Sequence, residues 1–316
     1  MFTAETHATS HVGRVRKGNE DNYLLLDIAD AKVWTSDQED GEFVIETQNF
    51  EIDASGVVMA VSDGMGGALA GEVASTMAVD TVSEKLLDTD VIDDTLAPDV
   101  ADHHLITRLH EATVFANQLI HHQGRTDPQF QGMGATFTGM GITANAADII
   151  QVGDSRAYLV RNKKIYQVTK DQSLVQQLID AQQISPEEAE THTLKNVILQ
   201  ALGAQNEVYP VSIRITPCRG DVFLLCSDGL SNKVSAGEMQ QIVVDNYDGL
   251  QNACAELVKL ANHNGGEDNI TVIISKFTGD GLPVAVDAEV KLELIDLGGI
   301  HDTADQDDDE DTAEIV

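Results

Sequence analysis

Cysteine is scarce in this chain, with Cys218, Cys226 and Cys254 too few and too scattered for a disulfide framework or a zinc knuckle. Each reads as a small core residue. The positions six residues after them are Leu224, Asn232 and Leu260, so no cysteine has the arginine that a cysteine-dependent phosphatase needs. Positive charge is thin as well. Lys and Arg number 19 against 53 Asp and Glu, and the net charge of -34 opposes any nonspecific hold on nucleic acid or an anionic membrane. No apolar run approaches the roughly 18 residues of a membrane span. The opening MFTAETHATSH lacks the basic start and apolar core of a signal peptide, so a cytoplasmic protein is expected. There is no internal repeat. The glycine-rich stretch Gly64 to Gly67 lacks the Lys-Ser/Thr of a nucleotide-binding P-loop.

Acidic side chains, by contrast, fall at particular places. Four apolar runs meet an aspartate: VVMAVSDGMGG at Asp63, DIIQVGDSR at Asp154, VFLLCSDGL at Asp228, and GGEDNITVIIS, where Asp268 leads into the run. The runs are β-rich, so these acids sit at strand ends. Converging carboxylates resist ionising together unless a cation neutralises them, which makes a metal site the economical reading. Oxygen-only donors point to Mg2+ or Mn2+ rather than zinc. The bland alternative is a set of turns, since Asp-Gly is a common turn pair. Histidines do not compete: the adjacent pairs His103-His104 and His121-His122 cannot share a helix face, and none lies in these segments.

Val12 to Asp27 reads as a strand and turn, the acidic stretch Asp30 to Asp53 as a surface hairpin inserted between core strands, and Val57 to Ser62 as a strand ending at Asp63. Helical spacing runs through AGEVASTMAVDTVSEKLL from Ala70, and a second helix covers Ala101 to His122. Ala135 to Thr143, Asp148 to Val152, Ala157 to Arg161 and Lys164 to Thr169 read as a meander of antiparallel strands. Leu174 to Gln182 is a short helix. Capping boxes at Ser185 with Glu188 and at Ser235 with Glu238 start two more, and a last helix from Leu250 to His263 stops at Gly265 and Gly266. The expected class is α+β, a four-layer αββα sandwich of two antiparallel sheets flanked by helices. One domain is expected over 1–278, with the insertion at about 29–54. An acidic, disordered tail is expected at 279–316, where Asp302 to Val316 hold eight acids and no Lys or Arg.

Six motifs stand in order: Arg16-Lys17-Gly18-Asn19-Glu20-Asp21, Asp63-Gly64-Met65-Gly66-Gly67, Gly134-Ala135-Thr136, Gly153-Asp154-Ser155-Arg156, Ser227-Asp228-Gly229-Leu230 and Asp268-Asn269-Ile270-Thr271-Val272. Together they resemble the protein phosphatase 2C (PPM) family of metal-dependent serine/threonine phosphatases in its bacterial form, from about Val12 to Phe277. The resemblance implies that Asp63 bridges two metal ions, that the Gly64 carbonyl joins the first ion's shell, and that Asp228 and Asp268 complete the second. It implies that Glu20 or Asp21 supports the second ion. Being adjacent, these two face opposite ways on a strand, and only one points at the metals. Asp154, with Asp228, matches a weaker third site. Arg16 matches the family's phosphate-binding arginine, whose planar fork suits phosphate oxygens.

The implied chemistry is hydrolysis of phosphoserine or phosphothreonine by a hydroxide shared between two Mn2+ or Mg2+ ions, with no phosphoenzyme. Met65 stands where many eukaryotic members carry histidine, so no side chain is assigned as general acid. Residues 170–202 correspond to the family's flap, a surface for substrate selection. Asn19, Thr136, Ser155, Arg156 and Asn269 read as supports. The expected partners are phosphorylated proteins, with a Ser/Thr kinase and its substrates, and Thr303 and Thr312 suit a reader of the acidic tail. Two competing readings are a two-metal hydrolase of small phosphoesters and a catalytically silent, partner-binding member. Retention of Asp63, Asp228 and Asp268 argues against the silent form.

Overall fold

The computed structural model describes residues 2–36, 42–88, 104–286 and 290–297. Its elements are β1 (Phe2–His11), β2 (Asp21–Asp27), β3 (Lys32–Thr35), β4 (Glu42–Val44), β5 (Gln48–Ile52), β6 (Val57–Met65), α1 (Ala68–Leu87) and α2 (His104–Thr126). There follow β7 (Gly134–Ala135), β8 (Phe137–Ile142), β9 (Ala147–Val152), β10 (Arg156–Arg161), β11 (Lys164–Gln167), α3 (Leu174–Asp180) and α4 (Pro186–Glu190). The last are β12 (Val211–Ile215), β13 (Val222–Cys226), α5 (Asp228–Ser231), α6 (Ala236–Asp245), α7 (Leu250–His263), β14 (Ile270–Thr278) and β15 (Glu293–Ile295). The first sheet runs β11-β10-β13-β14-β1-β4, with β5 also on β1. The second runs β15-β12-β9-β8-β6-β2-β3, with β7 on β6.

The two sheets face each other, and continuous apolar runs are what a sheet covered on both faces requires. In β13, Phe223 and Leu225 point into the space between the sheets. Val222, Leu224 and Cys226 point outward against α6 and α7. In the second sheet Tyr23 and Leu25 face inward, while Leu24 and Leu26 meet α1 and α2. The result is the αββα sandwich. Phe277 joins its centre, with ring centroids 5.1 Å from Phe223 and 5.4 Å from Phe2. Truncating a fully buried ring such as Phe223 to alanine costs about 3–5 kcal/mol.

One strand went unread in the sequence, and three expectations are corrected. Phe2 to His11, read from sequence only for the lack of a signal, is a central strand paired with β14 along its length. The stretch at 29–54 is no surface hairpin: β3 extends the second sheet through β2, whereas β4 and β5 pair with β1 in the first, so the segment ties the two sheets together. The strands from 135 to 169 are not one meander. β8 and β9 belong to the second sheet and β10 and β11 to the first, so the chain crosses between sheets at Gly153 to Ser155. Finally, the chain does not leave the fold at 278. Leu282 is buried in the inter-sheet core, and β15 adds an edge strand to β12, pairing Ile295 with Ser212, Leu294 with Ile213 and Glu293 with Arg214, while Ile295 packs against the helix-side core. The disordered tail is therefore corrected over the described part of 279–297, while Thr303, Thr312 and the acids after Asp302 lie outside the described residues.

Candidate metal centre

Five aspartates arrive at one end of the sandwich from both sheets. Asp21 opens β2 and lies directly opposite Asp63 near the end of β6. Asp154 sits in the crossing from β9 to β10. Asp228 follows β13, Asp268 precedes β14, and these two strands are neighbours. Strand pairing alone thus collects acids that are up to 247 positions apart in the sequence, as Asp21 and Asp268 are.

The local backbone is built to hold them. A side chain at Gly64 would collide with the Gly71 carbonyl and stand 2.7 Å from the Glu20 carbonyl, so only glycine lets these segments touch. Gly153 has φ near +100°, which the sheet crossing needs. Thr136 accepts from the Asp63 backbone N–H through Oγ1 at 3.0 Å, and the same oxygen meets Ser155 Oγ at 2.7 Å. Asn269 accepts from the Glu20 N–H at 2.7 Å and donates to the Val12 and Gly18 carbonyls at 2.9 and 3.0 Å. Asn19 donates to Ser10 Oγ at 2.7 Å. Supports expected from sequence are supports here.

Electrostatically the set is out of balance. Burial pushes Asp63 well above the ordinary carboxylate range, and the charges of Asp21, Asp228, Asp154 and Asp268 add to the shift. Asp21 is pushed up to about 7, first by burial and then by Asp228 and Asp268, despite a hydrogen bond from Ser227 Oγ at 2.7 Å. Asp154 is pushed up to about 7 by burial, then by Asp228 and Asp171. Asp228 is raised by burial and by Asp268. Asp63, Asp154 and Asp228 each keep a partly exposed edge, which leaves an ion a path.

The donor chemistry fits a hard divalent cation. Asp21 Oδ1 and Asp228 Oδ1 are buried without any hydrogen-bond partner among the described residues, and an orphaned carboxylate oxygen is costly unless a cation meets it. Among the described residues no three acid, histidine or cysteine side chains are drawn into a closed cage, so gripping an ion requires side-chain rotation. Asp21, not Glu20, faces the set. Glu20 turns to Arg16, which donates to it at 3.4 Å and to Asp268 Oδ2 at 2.9 Å. Arg16 therefore stands at the mouth as the acids' own counter-charge, 44% exposed at its side chain.

Sequence reasoning gave no role to three contributors. Ser227 Oγ both donates to Asp21 and accepts from the Thr271 N–H at 3.0 Å, and Gly71 leaves the space that the Glu20 carboxylate fills. Asp171, at the root of the flap, grips Arg156 with contacts of 2.8 and 2.7 Å beside Asp154. Asp171 lay two residues beyond a motif-free strand, and no spacing rule marks it. The flap root is further tied to the sheet crossing by Gln172, whose side chain accepts from the Gly153 N–H at 2.7 Å.

Comparison with known proteins agrees with this geometry. The sequence profile of the family described as protein phosphatase 2C matches residues 46–270. Protein phosphatase PhpP of Streptococcus pneumoniae is 37% identical over 227 residues, 72% of this chain and 88% of the relative. The crystal structure of the Mycobacterium tuberculosis serine/threonine phosphatase PstP/Ppp superposes with a TM-score of 0.69 at 30% identity, covering 88% of this chain and 100% of that one. A catalytic domain of PstP in complex with two manganese ions superposes with a TM-score of 0.67 at 30% identity, covering 88% of this chain and 100% of that one. Fold and donor set together define a metal-dependent phosphatase. The chain belongs to the protein phosphatase 2C family and is similar to its bacterial members. Among the described residues no helix is long and apolar enough to cross a membrane.

Proposed function

We propose that this protein hydrolyses phosphoserine and phosphothreonine on phosphoproteins, the targets of a Ser/Thr kinase, with Mn2+ or Mg2+ held by the buried aspartates. The observation that carries this reading is the pair of orphaned carboxylate oxygens on Asp21 and Asp228, in a site at whose mouth Arg16 is held by Asp268. Asp63 and the Gly64 carbonyl are assigned to the first ion, with Asp63 shared by the second. Asp228, Asp268 and Asp21 complete the second, and Asp154 with Asp228 holds a weaker third. When bound, such ions supply an activated water and neutralise charge building on the phosphoryl oxygens.

The rest is done by side chains. Arg16, braced by Asp268 and Glu20, offers the remaining donors of its fork to phosphate oxygens, and bracing reduces the rotamer freedom lost on binding. Thr136 and Ser227 hold Asp63 and Asp21 in the orientation that a cation needs. Met65 has no proton to give to the departing alkoxide, and that proton is assigned to no side chain. The flap, rooted through Asp171 and Gln172 beside Asp154, is assigned to substrate contact.

The full chain with Mn2+ and a phosphothreonine peptide tests the proposal. Turnover abolished by chelator and restored by Mn2+ is expected, with Asp63→Asn lowering kcat by about 1,000-fold or more. Folded, Mn2+-treated protein that leaves the peptide untouched overturns it.

A further inference from the structure

The cations packed against the fold are engaged by acids: Arg156, Arg161, Arg214, Lys233 and Lys276 each hold a carboxylate. Arg14 and Lys259 make no ion pair among the described residues, and both line one cavity of about 780 Å³ together with His11 and His263. Its single acid, Glu256, already accepts from Asn246 at 3.1 Å. With two cations against that one carboxylate, the recess carries net positive charge on a molecule of net charge -34.

This recess adjoins the metal centre. Residues 12–18 cross the end of α7, where the Arg14 N–H donates to the Gly266 carbonyl at 2.7 Å and the guanidinium to the Asn262 carbonyl at 3.3 Å. Gly13 lies so close to Asp268 that no Cβ fits between them. Three residues on, Arg16 pairs with Asp268 itself. The Cα atoms of Arg14 and Arg16 are therefore separated by about 7 Å at most. Val15, 64% exposed, lies between them.

We propose that this recess docks an acidic segment of the phosphoprotein substrate, placing Asp or Glu about two to four residues from the phosphorylated residue on an extended chain. The inference rests on the phosphoprotein reading above. Charge contrast gives the selectivity: the acidic surface elsewhere repels such a segment, and Arg14 and Lys259 attract it where its phosphate reaches Arg16. Val15 supplies an apolar contact for an intervening residue.

The test compares kcat/KM for phosphothreonine peptides carrying acids at these positions, on either side, with peptides carrying Gln and Ser instead. The acidic set is expected to win by about threefold to tenfold at low salt, and the advantage to shrink as salt rises. In Arg14→Ala/Lys259→Ala the ratio falls towards one, and in Lys259→Glu it drops further. Both side chains are exposed, and an unchanged melting temperature confirms the fold. No acidic preference in the full chain, or the same preference in the double variant, overturns the docking proposal while leaving the phosphatase reading intact. Turnover of a small aryl phosphate but of no phosphopeptide overturns both. Acidic preference only in a chain cut after Leu297 makes the protein's own acidic tail the occupant, and the substrate proposal is wrong.

Discussion

Buried acids are handled in opposite ways in two regions of this molecule. Away from the site, Asp221 receives Arg161 at 2.8 and 2.6 Å and the Cys218 N–H at 2.7 Å, and Asp148 receives Arg214 at 2.7 and 2.8 Å. Each brings its own cation from a neighbouring strand. At the strand ends, Asp21, Asp63, Asp154 and Asp228 face mainly one another, and two of their oxygens meet nothing among the described residues. A closed pair is architecture, whereas an open set of like charges makes sense only with an ion from outside.

Exchanging the two regions' fates by mutation should break the comparison if it is wrong. The largest effect is expected for Asp228→Asn, which should lower kcat on a phosphothreonine peptide by about 1,000-fold or more. The same change should leave the melting temperature of chelated protein equal or higher, because it removes repulsion. Asp221→Ala should do the reverse. It leaves Arg161 buried and unpaired, at a cost of about 3–5 kcal/mol in urea unfolding, while turnover per folded molecule holds. Ser227→Ala, which strips Asp21 of its hydroxyl donor, should weaken Mn2+ affinity by about tenfold, read from the Mn2+ dependence of activity.

The last test changes pH rather than a side chain. Burial and neighbouring carboxylates push Asp21 and Asp154 up to about 7, above the unfolded carboxylate value, so the folded chain binds more protons than the unfolded one between those limits. Stability of chelated protein must then fall as pH rises from about 4 to about 7. Calorimetric melts of chelated protein should show the melting temperature falling across that interval, and Mn2+ should reverse the fall most strongly at the alkaline end. A rise across that interval would detach these aspartates from the account.

The sandwich and its acids were legible for one reason. Strands covered on both faces run apolar without interruption, so a charge at the end of VVMAVS or VFLLCS stands out, as do the capping boxes at Ser185 and Ser235. β1 was not legible. Its inward Thr6 and Ser10 are buried polar groups that pair with Ser275 and Thr271 across the sheet, and apolar counting does not register hydroxyls whose partners lie more than 250 residues away. β15 was hidden by its acidic surroundings. Ser227 and Asp171 were hidden because hydroxyl and carboxylate roles depend on which strands become neighbours. The choice of Asp21 over Glu20 likewise needed the strand register, since sequence fixes only that one of the two faces inward.

Calorimetric titration of Mn2+ into chelator-treated wild-type, Asp228→Asn and Asp221→Asn proteins tests the central claim most directly. The account predicts binding of a pair of ions to the wild type, its loss or strong weakening in Asp228→Asn, and its retention in folded Asp221→Asn. Equal binding by wild type and Asp228→Asn, or none by the wild type, would contradict it.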